Sequence, residues 1–125
     1  MLRYASHELG RDLGAKSRQF FEFVLPPADV FEDGSDLVIA VDMPGFEKDN
    51  IRTRLNESAF TVSAKRDPVE RDGISYCEQR PLRLSKRIAL PVRVEMGDEE
   101  VKAKYENGVL TVRLPVKGVG RVVVE

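Results

Sequence analysis

Val101-Lys102-Ala103-Lys104-Tyr105, then Glu106-Asn107-Gly108, then Val109-Leu110-Thr111-Val112-Arg113-Leu114 is two short β-prone runs joined by a turn. In an extended chain successive side chains point to opposite faces, so Val101, Ala103 and Tyr105 share one side. Asn-Gly tolerates the two positive-φ positions of a type I′ turn, and the segment reads as a β-hairpin.

The same texture extends through residues 27–115. Apolar or alternating runs recur at Ala28–Phe31, Leu37–Asp42, Ile51–Leu55, Phe60–Lys65, Ile74–Cys77 and Leu84–Leu90. Between them lie the turn formers Asp33-Gly34, Pro44-Gly45, Asn56-Glu57-Ser58 and Asp72-Gly73. Pro44, Pro68, Pro81, Pro91 and Pro115 also fall between runs, where a missing N–H costs no ladder bond. About eight strands at such spacing predict an all-β fold, an antiparallel immunoglobulin-like sandwich.

The flanks differ. Residues 1–26 form an N-terminal arm in which Leu2, Leu9, Leu13 and Phe20 recur at helical spacing. Gly10 and Gly14 weaken that helix, and Pro26-Pro27 ends it. Residues 116–125 form a tail in which Gly118 and Gly120 precede Arg121-Val122-Val123-Val124-Glu125.

Composition sets outer limits. The 125 residues make one domain with extensions, and a hydrophobic share of 42% is too high for wholesale disorder. Lys and Arg number 20 against 21 Asp and Glu, for a net charge of -1, so no global attraction to nucleic acid or to a membrane surface is expected. The longest apolar run, Leu37 to Val41, is far too short to span a bilayer. The start of the chain has no secretory pattern, and a cytoplasmic protein is expected. One Cys and one His exclude an internal disulfide, a Cys-based zinc site and a His pair. No cofactor, metal or catalytic site is expected.

Several motifs fall short of chemistry. Gly10-Arg11-Asp12-Leu13-Gly14-Ala15-Lys16-Ser17 is one residue from a phosphate-binding loop, but Ala15 stands where a Gly must let backbone approach phosphate, and no strand precedes it. Asn56-Glu57-Ser58 fits a glycosylation acceptor, yet reads as a turn. Cys77 reads as a buried, inert small hydrophobe, His7 as solvated and Glu95–Glu100 as a solvated acidic loop. No nucleophile, base and oxyanion donor assemble, so an enzyme is not expected.

Three features point to association instead. Val122 and Val124 lie on one side of an extended tail that either adds to another chain's sheet edge or pairs with its own. Burying both gives about 3–5 kcal/mol, while ordering five residues costs about 1–2 kcal/mol each, so docking becomes favourable only when several tails act together. The arm holds three of the six Phe residues within Phe20–Phe23, either packed on the sandwich or presented to another apolar surface. The stretch from Lys65 to Pro81 is highly charged around the one short run Ile74–Cys77, a protruding loop whose strand needs an edge in this subunit or another.

These residues resemble the small heat-shock proteins of the α-crystallin/Hsp20 family, most closely the short archaeal type. The resemblance rests on Ala103-Lys104-Tyr105-Glu106-Asn107-Gly108-Val109-Leu110, on Val122-x-Val124, on Asp42-Met43-Pro44-Gly45-Phe46, on Leu90-Pro91 and on Pro26–Phe31. It implies an α-crystallin sandwich that dimerises by exchange, with Ile74, Ser75 and Tyr76 pairing with Asp29, Val30 and Phe31 of the partner. Lys86, with neighbouring Arg87, falls where the family often has an interface Arg. The resemblance further implies that Val122 and Val124 dock in a groove formed by Ile51, Thr53 and Leu55 with Val101, Ala103 and Tyr105 of a neighbouring dimer. The implied function is an ATP-independent holdase working as an exchangeable homo-oligomer. Its clients are partly unfolded proteins, taken up by Phe20, Phe21, Phe23, Val24 and Leu25. The competing expectation is a monomeric CS-type co-chaperone adaptor for a larger chaperone. Where the family commonly has Ile-x-Ile, this tail has Val-x-Val, one methylene fewer per peg, worth about 0.8 kcal/mol if fully buried.

Overall fold

In a computed structural model, which describes residues 16–95 and 101–117, the chain forms two antiparallel sheets around one core. The strands are β1 (Ala28–Asp33), β2 (Asp36–Asp42), β3 (Ile51–Leu55), β4 (Ala59–Lys65), β5 (Arg83–Ala89), β6 (Ala103–Glu106) and β7 (Val109–Pro115). One sheet has the order β1-β2-β7-β6, the other β3-β4-β5.

The longest apolar run of the sequence became the central strand β2, where Leu37, Ile39 and Val41 enter the core. Their partners across the sheet are Leu114, Val112 and Leu110 of β7. The second sheet closes the sandwich with Phe60, Val62, Ala64, Leu84 and Ile88. Alternation on β4, β5 and β7 supplies one buried face each, as an antiparallel sheet requires.

The β6–β7 hairpin turns as its sequence predicts. Asn107 and Gly108 have φ of 53° and 77°, the two positive values of a type I′ turn. The same turn abuts the crossover between the sheets. Met43 N donates to Gly108 O, and a Cβ at Gly108 would lie 3.1 Å from Pro44 Cα. Asn56 also serves as a turn residue, its Oδ1 accepting from the backbone N–H groups of Ser58 and Ala59.

Two expectations are corrected. Seven strands, not eight, form among the described residues, because Ile74–Cys77 is coil. The excursion 66–82 leaves β4 and returns to β5, closed at its base by Arg66 N donating to Leu82 O (2.9 Å). Among the described residues no strand of the same chain forms a ladder with its tip, and a short β-prone run without a ladder does not hold strand geometry. For the same reason Cys77 is exposed rather than buried.

Tyr105 ties the edge strand β6 to the crossover: its hydroxyl lies 2.6 Å from Met43 O and 2.9 Å from Phe46 O. Tyr105→Phe removes the one hydroxyl proton that these two carbonyls share. The variant is expected to lose about 1–3 kcal/mol, read as a lower denaturant midpoint with an unchanged slope.

Candidate assembly and client-binding surfaces

The arm ends in a helix over residues 16–24, stopped before Pro26 as its sequence predicts. Residues 17, 18, 21, 22 and 25 form its half-buried stripe, at the i, i+3, i+4 spacing of one helix face. Leu25 packs against the sandwich core, and the Glu22 carboxylate accepts from the backbone N–H groups of Leu82 (2.8 Å) and Arg83 (3.0 Å). The opposite face carries Phe20, 60% exposed, Phe23, 87% exposed, and Val24. The helix thus holds the body partly with polar groups and turns aromatic rings outward. The five arm residues named from the sequence divide accordingly: Phe21 and Leu25 face the body, Phe20, Phe23 and Val24 face solvent. Leu2, Leu9 and Leu13, the start of the expected helix, lie outside the described residues.

Two sheet edges carry the expected groove residues. β3 is paired only with β4, and β6 only with β7, among the described residues. Ile51, Thr53 and Leu55 oppose the buried Ala64, Val62 and Phe60 and therefore share their core-facing side. Ala103 and Tyr105 oppose Val112 and Leu110 in the same way. Ile51, Leu55 and Tyr105 are half-buried against the core, yet Thr53 and Ala103 are exposed. A core-facing side chain that is exposed marks a sandwich left open at that edge. Val101 lies just before β6, in coil and exposed. The pegs Val122 and Val124 lie outside the described residues.

β1 is the other edge of the four-stranded sheet, paired only with β2 among the described residues. Asp29, Val30 and Phe31 lie on it and are exposed. Ile74 and Tyr76, 60% and 52% exposed, sit in the excursion, with Ser75 half-buried between them. Lys86 faces inward on β5 and donates from Nζ to Pro26 O (2.9 Å), whereas Arg87 lies on the exposed outer face.

Sequence reasoning did not find the Glu22 latch. Its two partners are 60 and 61 residues away, and an exposed-looking Glu in a helix carries no local mark of a backbone acceptor role.

The Hsp20/alpha crystallin family profile matches residues 29–121, from β1 to beyond β7. The chain belongs to this family. Among solved structures, a point mutant of hsp14.1 from Sulfolobus solfatataricus P2 is 42% identical, with a TM-score of 0.78 over 99% of this chain and 97% of that one. The Del-C4 mutant of the same protein is 47% identical, with a TM-score of 0.74 over 81% and 83%. The 17.7 kDa class II heat shock protein of Arabidopsis thaliana is 36% identical over 71% of this chain and 59% of its own length. The chain thus matches about three-fifths of that curated relative. Membership in the Hsp20/alpha crystallin family agrees with the two-sheet architecture and with the resemblance carried by Ala103–Leu110.

Proposed function

We propose that the protein is an ATP-independent holdase of the cytoplasm, which binds partly unfolded proteins and keeps them from aggregating. The observation that carries this reading is the outward aromatic face of the arm helix. Two large rings stand mostly in solvent at 60% and 87% exposure, Phe20 meeting Phe21 edge-on at 5.6 Å between ring centres, and contiguous exposed apolar surface on a soluble protein marks an interaction site. A non-native chain offers apolar segments without fixed shape, and a helix face of Phe20, Phe23 and Val24 needs no fixed complement to bind them.

Assembly completes the reading. Dimers form when Ile74–Tyr76 of one subunit pairs with Asp29–Phe31 of another, which gives both the coil and the open β1 edge a ladder. Dimers associate when Val122 and Val124 fill the opening along β3 and β6 of a neighbour. The family assignment and the positions of these exposed edges support both steps.

The test is Phe20→Ser with Phe23→Ser in the full chain, assayed against a heat-aggregating substrate. The wild type suppresses light scattering. The variant is expected to need about tenfold more protein for the same effect, from the lost burial of two rings, with its unfolding midpoint unchanged. Equal suppression by the two proteins overturns the arm's role.

A further inference from the structure

Four arginines converge where the arm helix meets the base of the excursion. Arg18 comes from the helix, Arg66 from the end of β4, and Arg71 and Arg80 from the excursion. With Glu78 they line a cavity of about 80 Å³. Arg66 is fixed in place: its Nε donates to Pro81 O (2.7 Å), and its guanidinium carbon lies 5.3 Å from the centre of the Phe46 ring. Arg66 Nη1 and Arg80 Nη2 lie 3.2 and 3.3 Å from where a Cβ would stand on Gly45, so both guanidiniums approach the same stretch of backbone. Arg18 Nε is buried and has no hydrogen-bond partner.

The negative charge present does not match this. Among the described residues, Glu78 is the one carboxylate within ion-pair distance of any of the four, at 3.9 Å from Arg18 and 3.7 Å from Arg71. Desolvation, followed by the charges of Arg80 and Arg18, holds the Arg66 guanidinium below its usual pKa. Converging cations and a buried donor without an acceptor are destabilising when left so, and a bound anion relieves both.

We propose that this cavity binds one phosphate ion, held by Arg18 of the arm together with Arg66 and Arg80 of the body. Guanidinium groups match the oxygen spacing of phosphate and donate charge-assisted hydrogen bonds to it. The cavity has room for more than one water, enough for a single tetrahedral oxyanion. The bound ion links the helix to the body at a second place, beside the Glu22 latch. Phosphate therefore holds the arm in the docked place that turns Phe20, Phe23 and Val24 outward and sustains client uptake; that consequence rests on the holdase reading, whereas the binding does not.

The full-length protein, freed of phosphate, is titrated with inorganic phosphate by calorimetry at an ionic strength held constant with sodium chloride. Saturation at one ion per chain below about 1 mM is expected, the affinity of a few charge-assisted hydrogen bonds. Arg18→Gln and Arg80→Gln each weaken binding at least about tenfold, while Arg54→Gln, exposed on β3 and away from the cavity, leaves it unchanged. No saturable heat, or wild-type affinity in both of the first two variants, overturns the site. Trypsin cleavage at Lys16 and Arg18 is expected to slow severalfold with phosphate. An unchanged rate at saturation overturns the link between arm and body. Slowed cleavage with no gain in aggregation suppression places the failure in the arm's client role instead.

Discussion

Replacing Val122 and Val124 with Ala is expected to convert a large assembly into dimers. Size exclusion with light scattering reads this directly as native mass. Val→Ala removes about two methylene equivalents per peg, on the order of 3 kcal/mol for both if fully buried. That is most of what a tail gains, against an ordering cost of about 5–10 kcal/mol for five residues. A single tail is therefore at best close to balance, and assembly depends on several tails acting at high effective concentration. Removing the pegs from every tail collapses the whole set. Thr53 and Ala103 are exposed on the core-facing side of β3 and β6, and that opening is where the pegs are proposed to fit. The reverse change, Val122→Ile with Val124→Ile, adds about 0.8 kcal/mol per peg and is expected to slow subunit exchange. A double Ala variant that keeps the parental mass removes the tail from assembly. A monomeric parent removes both the tail anchor and the exchanged dimer, and points back to the CS-type adaptor.

How much of this was legible in the sequence depended on how local each determinant is. The Asn107-Gly108 hairpin was legible because two adjacent residues set two positive φ values, and the strands on either side alternate in step. The helix stop was legible because Pro26 acts on the residue before it. β2 was legible as a strand from its unbroken apolar run, which occupies a central position. Ile74–Cys77 is coil in the single chain because strand geometry depends on a partner ladder, and β propensity says nothing of where that ladder is. Cys77, expected to be buried, is exposed for want of the same ladder. The site was legible only where alternation determined it, as for Ile51, Thr53 and Leu55. The division of the arm into a body-facing stripe and an outward aromatic face was hidden. Phe20 and Phe21 are equivalent by composition, and only the docking of Glu22 and Leu25 tells them apart. The four-arginine cluster was hidden for the same reason, since Arg18 and Arg80 are brought together by packing alone.

Ile74→Asp with Tyr76→Asp is expected to yield monomers. In the single chain these side chains are 60% and 52% exposed and belong to no strand. Two carboxylates at these sites therefore leave the sandwich core untouched, and the unfolding midpoint of the monomer should stay near that of the dimeric tail variant. In the exchanged dimer the same positions would lie against Asp29–Phe31 of the partner, beside the exposed rings and methyls of Phe31 and Val30. A carboxylate buried there without a partner is strongly unfavourable, and Asp29 adds like-charge repulsion across the ladder. Dissociation at micromolar concentration, seen by sedimentation, is the expected outcome. The two variants are ordered: loss of the pegs stops at dimers, loss of the loop strand goes to monomers, and both together resemble the second alone. Dimers that persist with both Asp substitutions would mean that the subunits meet elsewhere. The exposed edge β1 would then be protected by some other contact, and the excursion would owe its length to the arm that rests on its base.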